Sequence, residues 1–260
     1  MNQSEIASQL HTTWAGKRLC YFESLDSTNQ KARELAEEGY PAGTLVIADN
    51  QTAGRGRRGR NWDSRAGMGI FMSLVLKPQI SPDKASMLTL LSALAVSKGI
   101  SKITEEKAQI KWPNDLVLHG RKICGILTEM SPKLDYVIVG IGINVHNKDF
   151  PEEIAQMAGS LYTETGKHYS RAKLVAAVLE CFEHYYALFL EKEDLSLIQQ
   201  AYNELLVNQE KEVRVLDSKE PFEGIAKGIT EKGELMVDTE KGRKLVSSGE
   251  VSVRGIYGYV

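Results

Sequence analysis

Cysteine is scarce and shows no pairing pattern: Cys20, Cys124 and Cys181 are odd in number, far apart and without CxxC spacing. This argues against a disulfide framework and for reduced packing residues of a cytoplasmic protein. The five histidines, His11, His119, His146, His168 and His184, are equally scattered, so a Cys/His metal centre is not expected. No apolar run approaches 18 residues, and Met1 to Gln9 has no basic region ahead of an apolar core. A membrane span and a secretory signal are therefore disfavoured. Charge of one sign is missing too: Lys+Arg 32 against Asp+Glu 34 leaves a formal net charge of −2. Dedicated nucleic-acid binders usually carry a basic excess that releases counterions from phosphate, so DNA is not an expected partner.

What basic character exists is local. Gly54-Arg55-Gly56-Arg57-Arg58-Gly59-Arg60 places four guanidinium groups and three glycines in seven residues, with Trp62 just beyond. Arginine offers a permanently charged planar fork for phosphate or carboxylate, and glycine lets backbone amides close on a ligand. Four like charges this close repel one another, so the loop is expected to be poorly ordered when empty and to order over an anion. Read alone, the same run is also a solvated basic turn or a nonspecific nucleic-acid patch.

At 260 residues the chain has room for one well-cored domain and a small one. Ile6, Leu10 and Trp14, four apart, predict a short leading helix, and Arg18 to Glu23 a strand. Asp26-Ser27-Thr28-Asn29 introduces a helix over Gln30 to Glu38, with Ser27 or Thr28 as cap; the same side chains and free amides also suit a small polar ligand. Thr44 to Ala48 and Ile70 to Leu76 read as buried strands framing the arginine loop. Pro82 to Gly99 reads as a core helix. Lys111-Trp112-Pro113-Asn114-Asp115 interrupts a strand, because proline cannot donate to a ladder, and the bend gathers a cation, an amide and a carboxylate. Arg121 to Met130 and Leu134 to Val145 are strands. Gly140-Ile141-Gly142 reads as close packing, since no GxGxxG followed by a helix is present. A short helix and loop are expected over Asp149 to Ser160, the clearest helix over Arg171 to Leu190, and a last helix capped by Asp194 to about Leu206. From Lys211 the texture changes to five short strands, Val213 to Leu216, Phe222 to Ile229, Glu234 to Val237, Lys244 to Ser247 and Glu250 to Arg254, a pattern of SH3-like size. The expected division is 1–208 and 209–260.

Taken together, Asp26-Ser27-Thr28-Asn29, Gln51, the Gly54 to Arg60 loop with Trp62, Lys111 to Asp115, and Arg121-Lys122 with Gly125-Ile126-Leu127-Thr128-Glu129 resemble biotin protein ligases in order and spacing. The resemblance implies an α+β fold: a mixed-sheet catalytic domain related to class II aminoacyl-tRNA synthetases and lipoate ligases, followed by an SH3-like β-barrel. It implies that biotin and ATP form biotinoyl-5′-AMP and pyrophosphate, with Mg²⁺, before a lysine of an acceptor takes the biotinoyl group. The acceptor it suggests is a biotin carboxyl carrier domain of acetyl-CoA carboxylase or pyruvate carboxylase.

By position, Ser27, Thr28, Asn29, Gln51, Arg55, Gly56, Arg57 and Lys122 resemble biotin contacts. Arg57, Arg60, Trp62 and Asn114 resemble nucleotide contacts, and Arg57 and Lys111 resemble the residues supporting adenylation. Asp115 and Glu129 are candidates to hold a metal, and an ion pair with Lys111 or Lys122 is the competing reading. Many bacterial members carry a winged helix-turn-helix ahead of this block; here the block begins by Asp26, so a monofunctional ligase is expected. Lipoate or octanoate attachment and nucleic-acid binding through the arginine loop are the rival readings, and the sequence leaves open whether the chain forms a homodimer.

Overall fold

The computed structural model describes residues 1–216, 220–249, 252–255 and 259–260. The chain opens with α1 (Gln3–Gln9), β1 (Arg18–Leu25), α2 (Thr28–Glu37), β2 (Thr44–Gln51) and β3 (Gly69–Leu76). α3 (Ala85–Thr104), β4 (Gln109–Lys111), β5 (Asp115–Leu118), β6 (Arg121–Met130) and β7 (Val137–Asn144) follow. Then come α4 (Leu161–Thr165), α5 (Arg171–Lys192), α6 (Gln199–Asn203), β8 (Glu212–Leu216), β9 (Phe222–Ile229), β10 (Leu235–Thr239), β11 (Gly242–Val246) and β12 (Ser252–Gly255).

Seven strands form one mixed sheet in the order β1-β2-β3-β7-β6-β5-β4, with β1 parallel to β2 and the other neighbours antiparallel. β3 is buried along its whole length because both faces are covered, which is why it reads as a continuous apolar run. On one face Ala32, Leu35 and Ala36 of α2 pack against Val46, Val75, Tyr136 and Ile138. On the other lie α3 and α5, with Leu88, Leu91, Leu94, Val175, Val178 and Phe182 in the main core. Pro82 to Thr104 is long and apolar enough to cross a membrane by length and composition, yet 72% of its most apolar window is buried inside the fold. It is the central core helix.

The second sheet, antiparallel and ordered β11-β10-β9-β8-β12, carries Val213, Val215, Ala226, Ile229, Leu235 and Val237 into the same core. The strand expected over Glu250 to Arg254 is found at Ser252–Gly255, with Glu250 and Val251 outside the described residues.

Three expectations are corrected. The leading helix stops at Gln9, and Trp14 belongs to the following turn, where the Glu183 carboxylate accepts from the amides of Thr13, Trp14 and Ala15 at 2.8, 2.6 and 2.7 Å. A side chain from α5 thus takes up the donors that a longer helix would have used. Residues 152–157 form turns rather than a helix. α6 is a short helix, and the Asp194 carboxylate accepts from Ser196 instead of capping it.

Candidate active site

The site lies where β2, β6, β7 and the β4–β5 turn converge beneath the arginine loop. The loop is a tight hairpin: Gly56 N donates to Arg60 O at 2.7 Å and Trp62 N to Gly54 O at 2.9 Å. Its tip turns through Arg58 and Gly59, both at positive φ, where glycine is the residue that adapts without strain. Two cavities meet below it.

The narrower cavity has about 50 Å³ of open space, enough for a few waters. Its floor is the glycine set of β6 and β7, with Gly125 and Gly142 opposite each other in register. A Cβ on Gly142 would lie 2.6 Å from Trp62 Nε1, and one on Gly125 2.9 Å from Trp62 Cζ3, so the indole rests directly on backbone. Among the described residues, Trp62 Nε1 is buried without a hydrogen-bond partner.

The walls are polar and already ordered. Gln51 Oε1 accepts from Thr28 N at 2.7 Å and Thr28 Oγ1 at 3.1 Å, while Gln51 Nε2 donates to Ser64 Oγ at 2.9 Å. Ser73 Oγ lies 2.8 Å from Thr28 Oγ1 and 2.6 Å from Asn29 Oδ1. Asn29 Nδ2 donates to Glu129 Oε2 at 2.7 Å, and Glu129 pairs with Arg33 at 3.0 Å. Ser27 is the N-cap residue of α2 but makes no side-chain cap bond, which leaves its hydroxyl to a ligand. Gly140 is the tightest point, because a Cβ there would collide with Asn29 Oδ1. Gly140→Ala is expected to cost about 1–3 kcal/mol by overpacking, read as a lowered urea midpoint at unchanged m.

The wider cavity, about 240 Å³, is lined by Arg57, Arg58, Arg60, Lys111, Asn114, Asp115 and Lys122, with Trp62, Phe150, Ile154 and Met157 as apolar wall. Lys111 is 5% exposed. It donates to Val253 O at 2.8 Å and sits 4.3 Å from the centre of the Tyr259 ring. Burial pushes its pKa down to about 8, opposed by the charge of Asp115.

Asp115 is the hub. Its Oδ1 pairs with Lys122 Nζ at 2.6 Å and accepts from Asn114 Nδ2 at 3.1 Å, and its Oδ2 accepts from Tyr259 OH at 2.5 Å. Arg57 reaches Asn114 Oδ1 at 2.8 Å and the carbonyls of Ser248 and Gly249 at 2.9 and 2.5 Å. Burial lowers the Arg57 pKa, with Asp115 opposing the shift.

All eight residues expected at biotin line the narrow cavity, and Arg57, Arg60, Trp62, Lys111 and Asn114 line the wide one. Gly56, Arg57, Trp62, Asn114 and Lys122 line both. Of the two competing lysines, Lys122 is the one paired with Asp115. Lys111 lines only the wider cavity. The metal candidates do not fit a resident cation: both Asp115 oxygens are taken by protein donors, Glu129 is committed to Arg33 and Asn29, and no cluster of three acidic, His or Cys ligands exists among the described residues.

Sequence reading missed Ser73, Asn144, Phe150, Val253 and Tyr259. Asn144 and Phe150 follow the Gly140–Gly142 pair closely and had that much signal. Ser73 and Val253 are brought in by pairing between distant strands, and Tyr259 by its side-chain contacts to Asp115 and Lys111.

Cations gathered on the seam between a polar pocket and a roomier cavity suit an acid-activating ligase, which must hold a small acid against a polyphosphate. Comparison with known proteins gives that class its family. Residues 21–144 match the Biotin/lipoate A/B protein ligase family, and residues 210–254 match the Biotin protein ligase C terminal domain. The bifunctional ligase/repressor BirA of Bacillus subtilis is 40% identical over 260 residues, spanning 97% of this chain and 79% of that protein. The biotin–[acetyl-CoA-carboxylase] ligase of Paracoccus denitrificans is 32% identical over 88% of this chain and 98% of its own. Among solved structures, biotin protein ligase from Aquifex aeolicus in complex with biotin and ATP superposes with a TM-score of 0.83 at 36% identity, covering 92% of this chain and 99% of that one. The chain belongs to the biotin protein ligase family.

Proposed function

We propose that the protein joins biotin and ATP to form biotinoyl-5′-AMP and transfers the biotinoyl group to a lysine of a biotin carboxyl carrier domain. The observation that carries this reading is the meeting of the two cavities at Arg57, Trp62, Asn114 and Lys122. The narrow cavity takes the ring system of biotin: Ser27, Thr28, Asn29 and Gln51 offer donors and acceptors to its polar end, and the glycine floor admits its flat body. The cavity must widen to do so, and Trp62 and the Arg55–Gly56–Arg57 arm of the loop are the parts that move. Phe150, Ile154, Met157 and the Asn144 amide suit a purine at the far end of the wide cavity, with Arg57, Arg60 and Lys111 along the phosphates.

In the first step a biotin carboxylate oxygen attacks the α-phosphorus and pyrophosphate leaves. Two unit charges brought to about 4 Å repel by roughly 4 kcal/mol at a surface-like dielectric, so counter-charge is the main requirement. Arg57 and Lys122 supply it at the seam, and Lys111 on the phosphate side; Mg²⁺ enters with ATP as part of the substrate. No side chain forms a covalent bond. In the second step the acceptor amine attacks the acyl carbon and AMP leaves, while the loop keeps water from the mixed anhydride.

Residues 1–208 carry the biotin pocket in this reading, and 209–260 complete the nucleotide side. Acetyl-CoA carboxylase or pyruvate carboxylase carrier domains in the cytoplasm are the acceptors we infer, with no nucleic-acid partner, in keeping with the net charge of −2. Incubation with biotin, Mg²⁺, ATP and a carrier domain should add the mass of one biotinoyl group to the carrier. Labelling by lipoate or octanoate with none by biotin would refute the assignment.

A further inference from the structure

Lys111 and Asp115 are direct cross-strand partners on β4 and β5. A cation and a carboxylate facing each other across a two-stranded turn ordinarily pair. Among the described residues they do not: Asp115 pairs with Lys122, and Lys111 has a backbone carbonyl, that of Val253, as its hydrogen-bond acceptor. Tyr259 stands between them. Its ring faces Lys111 Nζ at 4.3 Å, and its hydroxyl occupies Asp115 Oδ2 at 2.5 Å. Tyr259 lies in the wide cavity's wall and outside the stretch matched by the family's C-terminal description, which ends at 254.

We propose that Tyr259 is a positioning residue that holds Lys111 and Asp115 apart, leaving the Lys111 charge for the phosphates of ATP and committing Asp115 to Lys122 and Asn114. The inference rests on the ligase reading above. The ring does two things at once. Its face stabilises a desolvated ammonium without neutralising it, as a carboxylate would. Its hydroxyl donates to Asp115 Oδ2 and helps orient the carboxylate so that Oδ1 faces Lys122, while the bulk of the ring keeps Lys111 away. An apolar residue in its place would close the gap but leave Oδ2 open; an empty space would let Lys111 swing onto it. Among the described residues, the charges acting on Lys111 are those of Asp115, Lys122, Arg254 and Arg60, three cations and one carboxylate.

Two variants of the full chain separate ring from hydroxyl. Tyr259→Ala should raise the KM for ATP in biotinoyl-adenylate formation about tenfold, with a smaller drop in kcat and unchanged calorimetric affinity for biotin alone. Its pH profile for kcat/KM of ATP should break at higher pH than that of the parent, because a newly formed ion pair holds the Lys111 proton. Tyr259→Phe keeps the spacer and should stay within about threefold of the parent in KM for ATP. A parent-like KM and pH profile in Tyr259→Ala, or equal losses in both variants, would overturn the proposal while leaving the ligase reading intact. A parent enzyme that forms no adenylate from biotin and ATP would overturn both.

Discussion

Arg57→Ala is expected to slow biotinoyl-adenylate formation by about 10²- to 10³-fold, the range seen when one preorganised donor to developing charge is removed. The guanidinium lines both cavities and is braced at three points, by Asn114 Oδ1 and by the carbonyls of Ser248 and Gly249. Such bracing fixes its direction before any anion arrives, so little reorganisation remains for the reaction itself. The same loss should loosen the loop, and the adenylate should escape or hydrolyse faster. Quench-flow measurement of burst amplitude and adenylate lifetime reads both effects; parent-like values for both would remove Arg57 from the reaction.

Lys111→Met should lower kcat/KM for ATP by about 100-fold at pH 7 and abolish a pH dependence that the parent shows. With its pKa pushed down to about 8 by burial, the ammonium is present below that pH and lost above it. The value of kcat/KM reports the free enzyme, so the parent should fall about tenfold between pH 7 and pH 9. Bound phosphates favour the charged form, and the break in kcat should therefore lie at higher pH. In Lys111→Met the fall over this range should vanish. The folded state holds this charge against burial, so replacing it with a methionine should leave the melting temperature at pH 7 unchanged or raised, which separates lost charge from lost fold. A pH profile identical in parent and variant would show that another group titrates.

The strands framing the loop were legible because β-branched apolar runs such as Thr44 to Ala48 and Ile70 to Leu76 carry their own signal. So was the glycine pair of β7, whose packing role follows from the close approach of Asn29 and Trp62. The leading helix was overextended because Trp14 keeps helical spacing while its backbone amide and those of Thr13 and Ala15 donate to Glu183, a residue of α5 far along the chain. The bend at Lys111 to Asp115 was also legible, through its proline. Which lysine pairs with Asp115 was not: Lys111 is nearer in sequence than Lys122 and yet is not the partner, and in our proposal the choice is made by a tyrosine 144 residues beyond Asp115. Spacing along a chain cannot show such contacts; strand order and the docking of the second sheet do.

That arrangement also sets an order of completion. Every described residue lining the narrow cavity lies between Ser27 and Gly142, whereas the wide cavity is lined also by Ser252, Val253 and Tyr259. In the proposed reading, translation supplies the biotin-side residues well before the residues that finish the nucleotide side. The carbonyls that brace Arg57 and Lys111 belong to Ser248, Gly249 and Val253, so the charges we assign to adenylation gain their fixed directions only once the second sheet is in place.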